Sequence, residues 1–364
     1  MKNTLLLLSL SCTFATSYAA DNGTNTYNKK TVQVYGHRGA RSFAPENTLP
    51  GYRSSLRIGV DWVDMDVAIT KDGELLVDHD IWLNPDIVSS PQYGFWAVSK
   101  SEMYNSLNTD HLDKNIAPYL VHNLTQDQAQ SYDVGVLNPD SPYGKYFPEQ
   151  LPVPGTHMPT VQQVINYVET TTKNKSIGYQ IEIKNDPSHP EWTASPKEFA
   201  QKIYAILKQN NLIERAQIQS FDWAPLYELQ KLDKRIQTAY LVGYDDKLRM
   251  KDLNPKQAGL WSGGKLLRDY NYSLPQMISQ LGGTLYEPED VALTHEEVVE
   301  AHRLGLKVVV WSWPEHSGKA FDPTMVAKLI DWRVDGIITD DPGQLNSMLA
   351  ARGIATPKNY PRAQ

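Results

Sequence analysis

The sequence is poor in cysteine, in long apolar runs and in excess positive charge, and each shortage excludes a class of protein. Cys12 is the only cysteine among 364 residues, so no disulfide framework can hold the fold. Beyond residue 20 no apolar run is long enough to span a bilayer. The formal net charge of −7 argues against a surface for nucleic acid or anionic membranes. We therefore expect a soluble globular protein held by a large apolar core.

Residues 1–20 have the pattern of a secretory signal peptide. Lys2 supplies a positive start, an apolar run covers residues 4–14, and Ser17 and Ala19 provide the small residues of a cleavage site. We expect the mature protein to be secreted, periplasmic if the host has an outer membrane and otherwise extracellular. Cys12 would leave with the signal peptide.

Short apolar segments recur along residues 21–364, which we interpret as a single domain. Most are continuous rather than alternating, which is typical of strands buried on both faces. The eight predicted strands are 32–35, 61–67, 178–183, 216–219, 238–242, 284–286, 307–311 and 336–339. Helical segments between them include 196–209, 223–231, 295–304 and 325–332. This alternation predicts an α/β fold, a (β/α)8 TIM barrel, in which active sites lie at the C-terminal ends of the strands.

A ninth apolar run, residues 75–79, follows the second strand too closely for a helical crossover. Lys71-Asp72-Gly73 is typical of a tight turn, so we expect a hairpin that returns His79 to the barrel mouth. The segment of about 81–160 is too long and too rich in proline for an ordinary barrel loop. We predict that it is an insertion between strand 2 and strand 3, forming a lid or subdomain over the mouth.

Polar side chains cluster where consecutive predicted strands end. Paired residues two apart, such as Asp64 and Asp66, share one face of their strand. Each residue alone could be structural, but cores are normally apolar, so polar residues at neighbouring strand ends indicate an active site. The set comprises His37, Arg38, Asp64, Asp66, His79, Glu182 and Lys184.

These residue types suit the hydrolysis of a phosphate ester. Three carboxylates on rigid strands favour a hard divalent cation, Ca²⁺ or Mg²⁺, and the absence of thiolates from the set argues against structural zinc. Such a cation, with Arg38 and Lys184, can neutralise charge on phosphate oxygens. Histidine titrates near neutrality, so His37 and His79 can serve as proton donor and acceptor.

The chain resembles the glycerophosphodiester phosphodiesterases over about residues 33–345. The matching segments are Gly36-His37-Arg38-Gly39-Ala40, Pro45-Glu46-Asn47-Thr48, Asp64-Met65-Asp66-Val67, Thr70-Lys71-Asp72-Gly73, His79-Asp80, Glu182-Ile183-Lys184 and Gly336-Ile337-Ile338-Thr339-Asp340-Asp341-Pro342. The resemblance implies metal-dependent hydrolysis of a glycerophosphodiester to sn-glycerol 3-phosphate and an alcohol. It also implies a barrel that carries an insertion.

The resemblance further implies a role for each matching residue. His37 and His79 would form the acid–base pair, and Arg38 would bind the phosphate. Lys184 would contact the phosphate or position Glu182. Asp64, Asp66 and Glu182 would hold the metal, with Glu46 as a secondary ligand or orienting group. At the end of strand seven, Trp311 and Trp313 would either line the substrate pocket against the glycerol carbons or simply pack.

One departure from the family pattern concerns the metal. The family usually has Glu-x-Asp on strand two, whereas this chain has the shorter Asp64 followed by Asp66. The substitution leaves the identity and affinity of the ion open, and we rank Ca²⁺ ahead of Mg²⁺.

Two other functions compete with this interpretation. A lipid-directed phospholipase of the D or C type is disfavoured, because no amphipathic docking helix is evident. A non-catalytic glycerophosphodiester-binding protein is supported only by the shortened Asp64. The expected partner is a small-molecule glycerophosphodiester, without nucleic acid or stable membrane insertion, and the oligomeric state stays open.

Overall fold

The computed structural model describes residues 32–90, 94–95, 117–173 and 176–363. The predicted signal peptide and residues 91–93 and 96–116 of the predicted insertion lie outside the described residues. Among the residues that are described, no helix combines the length and apolar character needed to cross a membrane.

Eight parallel strands close into a barrel, which confirms the predicted TIM fold. Each pairs with its neighbour in chain order, and β1 completes the ring by pairing with β11 and β2. The described strands are β1 Gln33–Gly36, β2 Trp62–Ile69, β3 Leu75–Val77, β4 Ser89–Ser90, β5 Gly94–Phe95, β6 Gly178–Ile183, β7 Ala216–Ser220, β8 Gln237–Val242, β9 Leu285–Pro288, β10 Lys307–Val310 and β11 Gly336–Thr339. All but β3, β4 and β5 belong to the barrel.

Helices surround the barrel, and their starts follow capping rules. Before the helix Pro196–Gln209, for example, Ser195 accepts a hydrogen bond from the Glu198 N–H, and Pro196 occupies a position where no donor is needed. The longer helices are Leu49–Ile58, Val161–Thr172, Pro196–Gln209, Ala224–Leu232, Leu274–Gln280, His295–Arg303, Pro323–Asp331 and Pro342–Ala351. The short ones are Gln126–Ala129, Tyr244–Arg249, Pro255–Ala258 and Pro314–Ser317.

Strand β2 shows how the barrel separates its two faces. Val63, Met65 and Val67 belong to the large apolar core between the strands and the helices. Asp64 and Asp66 alternate with them, so they face the barrel interior, where both are buried. Alternation along one strand thus assigns packing to the outer face and polar chemistry to the inner face.

The predicted hairpin after β2 is confirmed. β3 pairs antiparallel with β2, with Val77 opposite Val67 and Leu75 opposite Ile69. Gly73 provides the positive φ of +85° that the turn requires. The hairpin also starts a second apolar core that the insertion completes, containing Leu76, Leu83, Val88, Val121, Phe147 and Met158. The lid role of this segment stays a prediction.

Candidate active site

His37 stands at the barrel mouth directly after β1, held by a carboxylate and an arginine. Its Nδ1 lies 2.6 Å from Asp340 Oδ1, and Asp340 follows β11. Arg41 donates to both oxygens of Asp340, from Nε at 2.5 Å and from Nη2 at 3.1 Å. Although burial alone would raise it, Arg41 holds the pKa of Asp340 well below its usual range. Asp340 is therefore a fixed anion that orients the His37 ring.

The electrostatics keep His37 neutral near pH 7. Burial lowers the pKa of His37, and the Arg41 charge lowers it further against the opposing effect of Asp340. With Nδ1 directed at Asp340, Nε2 has no hydrogen-bond partner among the described residues. A neutral imidazole with a free ring nitrogen is suited to accept a proton.

His79 follows the hairpin strand β3 and lies at the same mouth. Its Nδ1 is 3.2 Å from Asp80 Oδ1, and its ring packs edge-on against Trp313 with centroids 6.4 Å apart. Burial, followed by the charges of Arg38 and Lys184, lowers the pKa of His79 to about 4. In both histidines, therefore, the Nδ1 atom lies against a carboxylate oxygen.

Asp64 receives two hydrogen bonds inside the barrel. The Arg38 backbone N–H donates to Oδ2 at 3.1 Å, and Gln219 Nε2 donates to Oδ1 at 2.8 Å. Arg38 adopts a left-handed φ of +49°, an uncommon backbone conformation that is often found at functional sites. Burial and the neighbouring charge of Asp66 raise the pKa of Asp64 well above its usual range.

An amide and two cationic side chains lie against Asp66. Asn47 Nδ2 donates to Oδ2 at 2.8 Å, Arg38 Nε lies 3.3 Å from the same oxygen, and Lys184 Nζ lies 3.4 Å from Oδ1. Against the effect of burial, Lys184 and Arg38 hold the pKa of Asp66 well below its usual range. Asp66 therefore stays charged and anchors both cationic side chains.

Glu182 lies near the end of β6, Lys184 follows the strand directly, and the two side chains are hydrogen bonded to each other. Burial raises the pKa of Glu182 to about 7, with Lys184 opposing and Asp66 adding to the shift. Lys184 thus positions Glu182 and also lines the mouth. Its predicted phosphate contact stays a prediction.

Glu46 links the barrel to the insertion. Arg38 Nη1 donates to its Oε1 at 2.8 Å, and the Tyr143 hydroxyl donates to its Oε2. Tyr143 belongs to the insertion and also accepts a hydrogen bond from Arg41 Nη1 at 2.8 Å. In this arrangement Glu46 orients the Arg38 guanidinium, and its predicted role as a metal ligand stays untested.

The carboxylates at the mouth fit a hard cation by their chemistry. Burial and the charge of Asp66 raise the pKa of both Asp64 and Glu182, and a bound cation would relieve this cost. Within the described residues, no three acidic or histidine side chains are already arranged as a ligand set. The Lys184 ammonium instead lies against both Asp66 and Glu182.

A cavity of about 480 Å³ opens above these residues, within the size range of small-molecule sites. A smaller and deeper pocket of about 30 Å³ contains His37 and Arg38. The residues that line both are His79, Glu182, Lys184, Phe221, Trp311 and Trp313. The structure thus brings the two histidines, the two cations and the two tryptophans to one place, with the three acids beside or below them.

Several residues of this site escaped the sequence analysis. The segment from Gly336 to Pro342 contains Asp340 but indicates no role for it, and no local pattern points to Arg41 or Tyr143. Glu287, at the end of β9, is fully buried and accepts from Gln180 Nε2 at 2.5 Å. Burial, and then Asp64, raise the pKa of Glu287 well above its usual range. A glutamate at the end of a predicted barrel strand was the signal that could have found it.

Fold and site together define a (β/α)8 barrel with two histidines, two cationic side chains and buried carboxylates at its mouth. The profile of the glycerophosphoryl diester phosphodiesterase family matches residues 37–344. The chain therefore belongs to that family and is a phosphoric diester hydrolase.

Relatives and solved structures agree with this assignment. The glycerophosphodiester phosphodiesterase of Bacillus subtilis is 21% identical over 93% of each chain. That of Haemophilus influenzae is 24% identical over 74% of this chain and 70% of its own. A Silicibacter pomeroyi protein assigned as a glycerophosphoryl diester phosphodiesterase has 28% identity and a TM-score of 0.72, covering 89% of this chain and 95% of that one.

A further structural neighbour carries a ligand. An Oleispira antarctica phosphodiesterase was solved in complex with the product sn-glycerol-3-phosphate. It shares 18% identity with this chain at a TM-score of 0.56, covering 88% of this chain and 97% of its own. The similarity supports the common barrel.

Proposed function

We propose that the protein hydrolyses glycerophosphodiesters to sn-glycerol 3-phosphate and an alcohol, by metal-dependent acid–base catalysis with His37 and His79. One observation carries the proposal. Both histidines line the mouth with Nδ1 held by a carboxylate, and Arg38 and Lys184 lie at the same pocket. Two proton-transfer groups around two cations are what cleavage of an anionic diester requires.

Arg38 and Lys184 bind and orient the phosphate in this proposal. Their charges lower the pKa of His79 in the structure described here. An anionic phosphate placed against them would offset these charges and raise the pKa of His79 towards the range of a proton donor. His79 then protonates the leaving alkoxide while neutral His37 accepts the proton of the nucleophile.

Asp64, Asp66 and Glu182 would hold the divalent cation, with Ca²⁺ ranked ahead of Mg²⁺. When bound, the ion would neutralise the negative charge that develops on the phosphate oxygens. Glu46 keeps the Arg38 guanidinium in place, and Trp311 and Trp313 line the pocket as a wall for the substrate carbons.

The nucleophile is either the neighbouring glycerol hydroxyl, which would give a cyclic phosphate that water opens, or water itself. A substrate that lacks this hydroxyl distinguishes the two routes. Undiminished turnover of the 2-deoxy analogue would exclude the cyclic phosphate.

Chelator-stripped mature protein tests the proposal. We expect no release of sn-glycerol 3-phosphate from glycerophosphocholine without metal, and restored turnover with Ca²⁺ or Mg²⁺. Full activity of the stripped protein would show that turnover does not require a divalent cation. Absence of turnover on several water-soluble diesters with every ion would overturn it in favour of a lipid substrate or a binding protein.

A further inference from the structure

Part of the insertion lies directly against the loop that follows β1. Gln150 Nε2 donates to the backbone carbonyl of Arg41 at 2.7 Å, and the Leu151 N–H donates to the carbonyl of Phe43 at 3.0 Å. The same loop carries the arginine that is proposed to bind the phosphate. The insertion therefore contacts the catalytic part of the barrel through backbone hydrogen bonds as well as through side chains.

Tyr143 of the insertion places its hydroxyl between two charged side chains of this loop. The hydroxyl donates to Oε2 of Glu46 and accepts from Nη1 of Arg41 at 2.8 Å. Burial raises the pKa of the hydroxyl well above its usual range, so it stays protonated and remains a donor. All three side chains are buried, so water has little access to replace the hydroxyl.

From this hydroxyl, hydrogen bonds lead in two directions to the proposed catalytic groups. Through Glu46, whose Oε1 accepts from Arg38 Nη1 at 2.8 Å, they reach the phosphate-binding guanidinium. Through Arg41, which donates to both oxygens of Asp340, they reach Nδ1 of His37. One hydroxyl of the insertion thus joins the proposed phosphate site to the proposed proton acceptor.

The hydroxyl also separates two groups that attract each other. Arg41 Nη1 lies 3.9 Å from Glu46 Oε2, beyond hydrogen-bond distance, and the hydroxyl is bonded to both. Without the hydroxyl, the two opposite charges would close on each other to form a direct charge-assisted hydrogen bond. Such a movement would draw Glu46 from Arg38 and turn Arg41 away from its own carboxylate partner.

The rest of the insertion holds Tyr143 in this position. The Tyr143 N–H donates to Ser141 Oγ at 3.1 Å, and Ser141 Oγ donates to Asp86 Oδ1 at 2.7 Å. The Tyr143 ring packs edge-on against Phe147 with centroids 5.2 Å apart, and Arg41 Cζ lies 4.7 Å from the Phe147 centroid. A side chain that is already fixed in this way orients its partners at little further cost in conformational entropy.

We propose that Tyr143 is a positioning residue, by which the insertion holds the phosphate-binding and proton-accepting groups of the barrel in place. On one side it acts through Glu46 on Arg38. On the other side it acts through Arg41 on the carboxylate that orients His37. The inference rests on the proposed function, which gives these two end groups their roles in the reaction.

Steady-state kinetics of Tyr143→Phe with glycerophosphocholine test the proposal, because this change removes only the hydroxyl. We expect kcat/KM to fall about tenfold, the size of effect that follows the loss of a hydrogen bond to a charged group. KM should rise at least about threefold, since the phosphate-binding guanidinium is displaced. The control is Tyr146→Phe in the same short helix, Pro142–Tyr146, which should keep the wild-type kcat and KM. Its hydroxyl makes no hydrogen bond within the described part of the chain.

A double-mutant cycle with Glu46→Gln tests whether the hydroxyl acts through that carboxylate. If it does, the double variant should lose at least about threefold less kcat/KM than the product of the two separate losses. Losses that simply multiply would show that Tyr143 and Glu46 act independently, and would overturn the inference.

Binding of sn-glycerol 3-phosphate, measured by calorimetry with a divalent ion present, separates this inference from the proposed function. Tyr143→Phe should weaken this binding about fivefold. Weaker binding by the variant of a protein that hydrolyses no diester would support the positioning role and contradict the proposed function. A lower kcat with unchanged KM and unchanged binding would indicate a merely structural role and overturn the inference, as would wild-type kinetics in Tyr143→Phe.

Discussion

The outer and inner faces of the barrel sheet are built from the same strands and contain very different residues. On the outer face, β2 and β6 contribute Val63, Met65 and Ile181 to the main apolar core. On the inner face the same strands contribute acids and amides, among them Asp64 and Gln180, all of them buried. One face contributes to stability by removing apolar surface from water, and the other holds charges that burial penalises.

The inner face is itself divided. Its polar side lies on β2, β6 and β7, whereas β8, β10 and β11 supply Leu241, Val309 and Ile338 to a small apolar cluster. This division gives the site one wall of charge and one wall of hydrocarbon and aromatic surface. A phosphodiester, which joins an anionic phosphate to carbon chains, matches such a site.

Replacing His79, which lies at the barrel mouth, should have the largest effect on activity. His79→Asn removes the proposed proton donor, so kcat should fall about 10³-fold with little change in thermal unfolding. The control is His157→Asn, an exposed histidine of the insertion, which should keep full activity. A kcat within tenfold of wild type for His79→Asn would exclude its catalytic role.

Asp340 is a positioning residue whose replacement should lower kcat about 10²-fold. The Asp340 carboxylate raises the pKa of His37, so Asp340→Asn should lower that pKa. A lower pH is then needed to protonate His37, and the acidic limb of the kcat profile moves to lower pH. If kcat falls but the acidic limb of the kcat profile stays at the same pH, Asp340 has only a structural role.

Met65 tests the outer face. Met65→Ala opens a cavity in the fully buried core and should lower the free energy of unfolding by about 2–5 kcal/mol without changing kcat of the folded enzyme. The matched control is its neighbour Asp64→Asn, measured by the same denaturant titration.

The control should show the reverse pattern. The raised pKa of Asp64 means that its charged form is disfavoured in the fold at neutral pH. Asp64→Asn should therefore lose activity while its stability stays the same or rises. Equal loss of stability in Met65→Ala and Asp64→Asn would contradict the idea that the outer face stabilises the fold and the inner face serves activity.

Trp313 should have the smallest effect. Trp313→Leu removes an aromatic ring that lines the cavity but leaves the proton-transfer groups in place. We expect KM for glycerophosphocholine to rise about threefold to fivefold with kcat nearly unchanged. A large fall in kcat with constant KM would instead place Trp313 in the positioning of His79, which it contacts.

The sequence predicted the barrel because most of its strands are continuous apolar runs, and the first of them carry polar residues at their C-terminal ends. The helix Pro196–Gln209 was predicted with its observed bounds, since Ser195 and Pro196 mark its start. The hairpin prediction succeeded for a similar reason, because Gly73 sits where the turn needs a positive φ.

The missing part of the site consists of contacts between distant residues. Arg41 and Asp340 are 299 positions apart, and no local pattern distinguishes Asp340 from its neighbour Asp341, which caps the following helix. Tyr143 comes from the insertion, whose path the spacing of apolar residues does not predict. Charge pairs of this kind can be identified only from the folded barrel, because their members are far apart in the sequence.

The most direct test of the central claim is the rate at which sn-glycerol 3-phosphate is released from glycerophosphocholine by wild type and by His37→Asn. Both proteins should be measured with the same divalent ion and shown to be folded. We predict steady release by wild type and a rate about 10³-fold lower for the variant, because the proton acceptor is gone. Comparable rates for the two proteins would contradict catalysis by the histidines of the barrel mouth.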